Sequence, residues 1–362
     1  MLLKRLLLLA SIAICLLPVH HATGYGFQAM FDWTDQYRAV SVPNYDRIGS
    51  PAFFVMILIQ QLDYFALPGF MLVTGFFLAT FAASGNPRTV SWKTALTRSR
   101  TFFIPWLVWT LIFFGLFARR LPINADDLFD RYYYVLLVIA YTLLAPLLIP
   151  ITRDRWKTVL GVSAFLEILF FALRYLRIFE VEIPVLHALF ELWPRWLPPT
   201  FGLWVVLGMV IGFHQKEFLE LVKRWKGVLI TGAIVFAALT MVEYWIVTQI
   251  TGMDWLGPYW GGIARIVYTF FLLMGFFALD EIRLPFSDWL TSLGGKTLGI
   301  YLVHGRIMYV VAVLMYRLTP WILGNQLLYQ GILVVTGMGG ALLLMHLVSI
   351  SPMRRYHRYI FG

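Results

Sequence analysis

Apolar segments long enough to cross a bilayer recur along nearly the whole chain, and this repetition limits the fold more than any single motif does. About 20 apolar residues in a helix span a hydrocarbon core of ~30 Å. Within that core only helices and closed barrels satisfy every backbone N–H and C=O. The runs here are continuous rather than alternating with a period of two, which argues against a barrel. Only 13% of the residues are charged, against ~25% in soluble domains, so there is too little polar surface to cover a water-soluble fold.

Ten spans are expected, at about 5–21, 51–84, 101–118, 132–150, 157–173, 199–213, 227–248, 259–279, 296–316 and 326–349. The second run is long for one crossing, and Asp63 with Pro68 is expected to divide it into a tilted first part and "LPGFMLVTGFFLATF". Cytoplasmic loops collect Lys and Arg. With the N-terminus inside, 18 of the 29 basic residues fall on the cytoplasmic side, including all seven lysines (Lys4, Lys93, Lys157, Lys216, Lys223, Lys226, Lys296). Nine fall outside: Arg38, Arg47, Arg119, Arg120, Arg131, Arg174, Arg177, Arg195 and Arg317. The expected fold is therefore an all-α polytopic bundle of about ten transmembrane helices with both termini cytoplasmic. It is read as one transmembrane domain over 1–362 with no attached soluble domain and no internal repeat.

The net charge of +10 is spread over short loops rather than gathered in a patch, so a nucleic-acid partner is not expected. The single cysteine, Cys15, excludes a disulfide framework and a thiolate metal site. The opening "MLLKRLLLLASIAICLLPVHHA" could be a signal peptide, but cutting after Ala22 would put His20 where a small residue is needed. Retention as a first helix is the expectation. The longest polar stretches, 22–50 and 174–198, are both read as external. They carry Tyr25, Phe31, Asp32, Trp33, Asp35, Tyr45, Asp46, Glu180, Glu182, Glu191, Trp193 and Trp196. Such a face suits sugars or lipid headgroups, and it equally suits an interfacial aromatic belt.

Ionisable side chains inside spans cost several kcal/mol unless they pair or line a cavity. Here they are His20, His21, Asp63, Glu167, Glu243, Arg265, His304, Arg306 and His346. Glu243 and Arg265 lie on successive spans and could pair. His20 and His21 point about 100° apart on a helix, so one of them at most faces a given cavity. An imidazole is neutral near working pH and can take a proton from a hydroxyl. On the cytoplasmic side, "SWKTALTRSRTFFIPWLVW" runs Lys93, Arg98 and Arg100 straight into an aromatic span. Guanidinium groups suit phosphates, although the charge rule alone would also place basic residues there. Lys93 and Arg100 share a helical face and Arg98 points roughly opposite to Arg100.

Four segments together resemble the acyltransferase 3 family of integral membrane enzymes: "YFALPGFMLVTGFFLA" (64–79), "TRSRTFFIPWLVW" (97–109), "YYYVLLVIAYTLLAPLL" (132–148) and "LGGKTLGIYLVHGRI" (293–307). The resemblance implies a ten-span enzyme of the cytoplasmic membrane that moves acyl groups, often acetyl, from cytoplasmic acyl-CoA to hydroxyls of extracytoplasmic glycans or lipid-linked sugars. It also implies an essential histidine at the end of the first span, a place held here by His20 or His21, with "HA" favouring His21. Where the family often has an arginine about ten residues earlier, this chain has Leu9 and Ala10. The nearest arginine is Arg5, about 22 Å along a helix from His20.

On this reading the acyl-CoA phosphates bind near Lys93, Arg98 and Arg100, and one of His20 and His21 acts as general base or carries the acyl group transiently. His304 is a second catalytic candidate, as a partner or an oxyanion donor, with Tyr301 and Arg306 on the same span. No metal is expected. The competing class is a transporter or flippase for a lipid-linked sugar, for which related halves with interrupted helices would be the signature.

Overall fold

The computed structural model describes residues 2–33, 49–83, 89–117, 129, 132–181, 183–185, 193–257, 262–279 and 287–362. Arg38, Arg47, Arg88, Arg119, Arg120, Arg131, Arg283, Asp35, Tyr45, Asp46, Glu182 and Glu191 lie outside them. Among the described residues every regular element is a helix.

Helix α1 (Leu2–Phe31) runs ten residues past the expected end of the first span. Ala22, Phe27, Ala29 and Met30 are buried and repeat at helical spacing, so the segment read as a polar loop begins as a packed helix. The glycines at 24 and 26 obscured that pattern. Pro18 sits inside the helix without ending it, and the lost N–H bond is tolerated in a packed interior. α1 packs against α2 (Pro51–Leu62), α3 (Ala66–Ala83), α10 (Ser287–Gly294), α11 (Thr297–Leu318) and α12 (Gln326–Ile350). A helix surrounded in this way is apolar on all sides, as its sequence is.

The second run divides where Asp63 and Pro68 suggested. Ser50 caps α2 by accepting from Phe53 N at 3.2 Å, Pro51 occupies the first turn, where no N–H is needed, and a single 3₁₀ turn at Asp63–Phe65 leads into α3. Breaking a helix leaves carbonyls without partners. α9 (Ile263–Ala278) supplies them: Arg265 donates to Gln60 O at 2.6 Å and Tyr268 to Leu62 O at 3.1 Å.

α4 (Trp92–Phe117) contains Pro105. α5 (Tyr133–Ile178) joins two expected spans in 46 residues, with non-helical backbone at Arg155 (φ −132°, ψ 39°). A straight helix would hold Tyr133 and Arg174 about 60 Å apart. Instead both line one chamber, so α5 doubles back at Arg155 into two antiparallel arms. α6 (Gly202–Phe213) is short, α7 (Gln215–Arg224) buries only Phe218 and Val222, and α8 (Lys226–Thr251) leads into α9. The C-terminal α13 (His357–Phe361) returns to the bundle, where Trp109 Nε1 donates to Ile360 O at 2.8 Å.

Among the described residues, six segments are long and apolar enough to cross a membrane: Leu2–Phe31, Pro51–Phe81, Tyr133–Ile178, Lys226–Thr251, Thr297–Leu318 and Gln326–Ile350. Gly202–Phe213 and Ile263–Ala278 are shorter apolar helices. The perimeter is oily: Ile234 is 67% and Val335 71% exposed, which suits lipid tails and not water. The chain is a multi-pass helical membrane protein.

The closest approach of helices is α3 on α6. A Cβ at Gly75 would collide with the carbonyl oxygen of Val205, and one at Gly208 with that of Leu72, so the two backbones meet directly through small residues. Glu243 does not spend its carboxylate on the neighbouring span's arginine. It accepts the Tyr175 hydroxyl and the N–H groups of Ile263, at 2.9 Å, and Ala264. It therefore caps α9 at its positive end, while Arg265 reaches the other way.

Candidate active site

In the C-terminal half of α1, three imidazoles gather. The His21 ring lies 5.7 Å from that of His20 and 5.3 Å from that of His304 on α11. Residues nearly 300 positions apart meet because α1 packs along α11. His304 is 2% exposed, and its Nδ1 bonds the Ile300 carbonyl at 2.8 Å. Only an N–H can serve a carbonyl, so the proton is on Nδ1 and Nε2 presents a lone pair. That Nε2 is buried with no partner among the described residues. His21, by contrast, is exposed, although its ring lies against that buried neighbour.

His20 points elsewhere on the helix, as the 100° step requires. Its Nδ1 lies 2.9 Å and 3.1 Å from the two carboxylate oxygens of Asp63, whose side chain is almost wholly buried. The 3₁₀ turn between α2 and α3 delivers that carboxylate. A carboxylate on Nδ1–H fixes the ring and its tautomer, leaving Nε2 to accept a proton. Asp63 was visible in the sequence as an intramembrane acid but was read as a helix divider. The signal that identifies it as a partner is its position at a break, where a side chain is not committed to one helical face.

Arg306, two positions after His304, points away from it. Its Nε donates to the Tyr132 hydroxyl at 3.0 Å and its guanidinium lies 4.0 Å from the Phe113 ring centre. Tyr301 is nearer the cluster, its ring 6.1 Å from His304 and 5.2 Å from Tyr134.

Below these tyrosines a largely apolar cavity of about 440 Å³ is lined from α1 (Leu7, Ala10), α3, α4, α5 and the α10–α11 junction. Arg98, Tyr134 and Tyr301 are among its lining residues. Tyr301 lies about one helical turn from His304 on α11. The Arg98 guanidinium is held 3.1 Å from the centre of the Phe81 ring. Lys93 and Arg100 are exposed on the opposite face of α4, as their spacing predicted. The three basic residues thus separate into one at the cavity and two at the surface. If Arg98 holds an anionic donor, Arg98→Ala should raise the KM for acyl-CoA about tenfold, the effect of losing one charge-assisted hydrogen bond. Lys93→Ala and Arg100→Ala should change it less, as initial rates over a range of donor concentration will show.

Arg5 lies away from the histidines. It is 7% exposed and donates to Phe277 O at 2.6 Å, in the last turn of α9, where a cation suits the negative end of the helix. His346 is exposed on α12, and Glu167 is buried in the wall of a small chamber that His20 also lines. Several aromatics of the two polar stretches are used within the fold: Phe31 stacks on Trp255 and Trp196 on Phe129, and the Trp33 ring lies tilted 4.8 Å from that of Tyr316.

The described helices thus form a membrane bundle that holds His20 against Asp63 and encloses an apolar cavity between α1, α3, α4 and α5. A family model for the acyltransferase domain of the acyltransferase 3 family matches residues 5–346, and the chain belongs to that family. No curated protein and no solved structure matches the chain.

Proposed function

We propose that the protein is a membrane O-acyltransferase that moves an acyl group, acetyl in the first instance, from cytoplasmic acyl-CoA to a hydroxyl of an extracytoplasmic glycan or lipid-linked sugar. The observation that carries this reading is the His20–Asp63 pair at 2.9 Å, together with the apolar cavity that Arg98 lines. The chain crosses the inner membrane ten times in this reading, with both termini cytoplasmic. The two arms of α5 count as separate crossings.

Acyl-CoA leaves its nucleotide phosphates near Arg98, with Lys93 and Arg100 adding positive charge at the surface, and its pantetheine arm enters the apolar cavity. The cavity's tyrosines bring the thioester toward the histidines. The acceptor hydroxyl gives its proton to Nε2 of His20 as its oxygen attacks the thioester carbonyl. The C–S bond then breaks and the thiolate of CoA takes the proton from Nε2 of His20, which returns the base to its neutral form. Asp63 stabilises the imidazolium formed in the first step. His21 lies between His20 and His304, 5.7 Å and 5.3 Å from their rings, and in this reading it and His304 orient the reacting groups.

Purified protein in lipid nanodiscs, given acetyl-CoA labelled in the acetyl group and a pool of extracted cell-envelope glycans and glycolipids, should label the acceptor through an ester. Mild alkali should release that label. Stable binding of a glycolipid with no acyl transfer from any acyl-CoA would reject this reading and leave the transporter class.

A further inference from the structure

Past the histidines, α1 continues for about three more turns that the acyl-transfer step itself does not use. On that stretch Ala22, Thr23, Gly26, Phe27, Ala29 and Met30 are buried, and Tyr25 packs with Ala22 and Ala29 against α11 and α12. What stays accessible runs along the opposite side. His20, Gly24, Gln28 and Asp32 follow one another four residues apart, so they form one row along the helix. The Asp32 N–H bonds the Gln28 carbonyl at 2.8 Å, which carries the row to the end of the helix. It starts at the ring held by Asp63 and ends about 18 Å away, with His21 on the same side.

Each position beyond His20 leaves something open. Nothing lies within 4 Å of a Cβ placed at Gly24, so there is free space one turn from the base. Gln28 is half-buried and Asp32 exposed, and neither side chain has a hydrogen-bond or ion partner among the described residues. An amide both donates and accepts, and a carboxylate accepts; hydroxyl groups match both. No Lys or Arg stands on the row to receive an anion, whereas Asp32 would repel one. A lipid tail laid here would take water from two unpaired polar groups, which is costly. Phe31, its ring parallel to that of Trp255 at 5.9 Å, sets an aromatic wall beside the row. The face therefore fits an uncharged chain rich in hydroxyls.

We propose that this row seats the acceptor as a run of neutral sugar units lying along α1 from Asp32 to His20. Gln28 and Asp32 bond hydroxyls of the chain, and the gap at Gly24 admits the ring whose hydroxyl reaches the base. The inference rests on the acyltransferase reading, which supplies the acceptor, but seating the chain does not require turnover. Gln28 and Asp32 then determine specificity without touching the reacting atoms, and an extended chain is a better acceptor than a single sugar.

The test uses full-length protein in lipid nanodiscs, with the water-soluble glycans and the organic-phase glycolipids of the cell envelope as separate probes. Gln28→Cys, combined with Cys15→Ser, should react with a membrane-impermeant maleimide. At least one of the two fractions should slow that labelling to saturation, and which one does so separates a free glycan from a lipid-linked one. In transfer assays Gly24→Leu should lower kcat/KM for the acceptor about tenfold, and Gly24→Ala far less, because the gap closes with side-chain size. Asp32→Ala should raise the acceptor KM about tenfold with kcat held, and Asp32→Asn should recover part of the loss. The KM for acetyl-CoA should keep its wild-type value in all of them, which reports that they are folded. A Gln28→Cys thiol that the maleimide cannot reach, or labelling that neither fraction slows, would overturn the proposal. Transfer without protection rejects only this seat, and protection without transfer rejects only the enzyme.

Discussion

Replacing Asp63 by Asn should lower acetyl transfer by about 10²–10⁴-fold, the usual contribution of a positioned acid–base group, while leaving acetyl-CoA binding intact. The side chain is nearly isosteric and stays in the 3₁₀ turn, so the fold persists. What changes is the proton arrangement. A carboxylate can only accept, and it holds a proton on Nδ1 of His20. An amide can offer its NH₂ instead and draw the lone pair to Nδ1, leaving Nε2 protonated and unable to act as base. His20→Ala should lose a similar factor, and the double variant should be little worse than either single, because the two groups act as a unit. His21→Ala provides the contrast. If it abolishes transfer while Asp63→Asn and His20→Ala retain most of the activity, the base is His21 and the pair serves the fold. Initial rates with labelled acetyl-CoA, normalised to folded protein, distinguish these outcomes.

The second large effect concerns stability. Gly75→Ala should destabilise the protein by about 1–3 kcal/mol, the range for overpacking a close-packed interior, because the added methyl meets the backbone of α6 at Val205. A side chain can rotate out of the way, but a carbonyl in the middle of a helix can move only if the helix does. Gly208→Ala should behave alike from the other side, against Leu72. Gly305→Ala is the control: nothing lies within 4 Å of the added atom, and exchanging glycine for alanine within a helix is neutral to favourable. Thermal unfolding in detergent, followed by size-exclusion chromatography, should therefore show lower midpoints for the first two and none for the third. Equal midpoints for all three would mean that α3 and α6 are not in backbone contact.

These two tests address parts of the molecule that were unequally legible in the sequence. The helical membrane class follows from apolar runs and backbone hydrogen bonding alone, and the break at Asp63 follows from an acid and a proline within one run. The reach of α1 to Phe31 was hidden because tertiary packing, not hydropathy, holds its last turns in a helix. The doubling back of α5 at Arg155 resembles two spans with a loop, because a kink without a linker has no turn residues to announce it. Within the site, the spacing rule on α4 separated Arg98 from Lys93 and Arg100, since helical geometry is local. The meeting of His20 with Asp63, or of His21 with His304, depends on how distant helices pack, and no local pattern encodes it. Arg5 shows the same limit: its distance from the histidines could be read along one helix, but its carbonyl partner on α9 could not.

The single helix α1 carries both Ala10, in the wall of the apolar cavity, and His20, bonded to Asp63. The ten-residue interval between them is about 15 Å of helix, so in the proposed reading it acts as a gauge between where the donor lies and where the proton is taken. A shift of α1 along its axis cannot correct one end without misaligning the other.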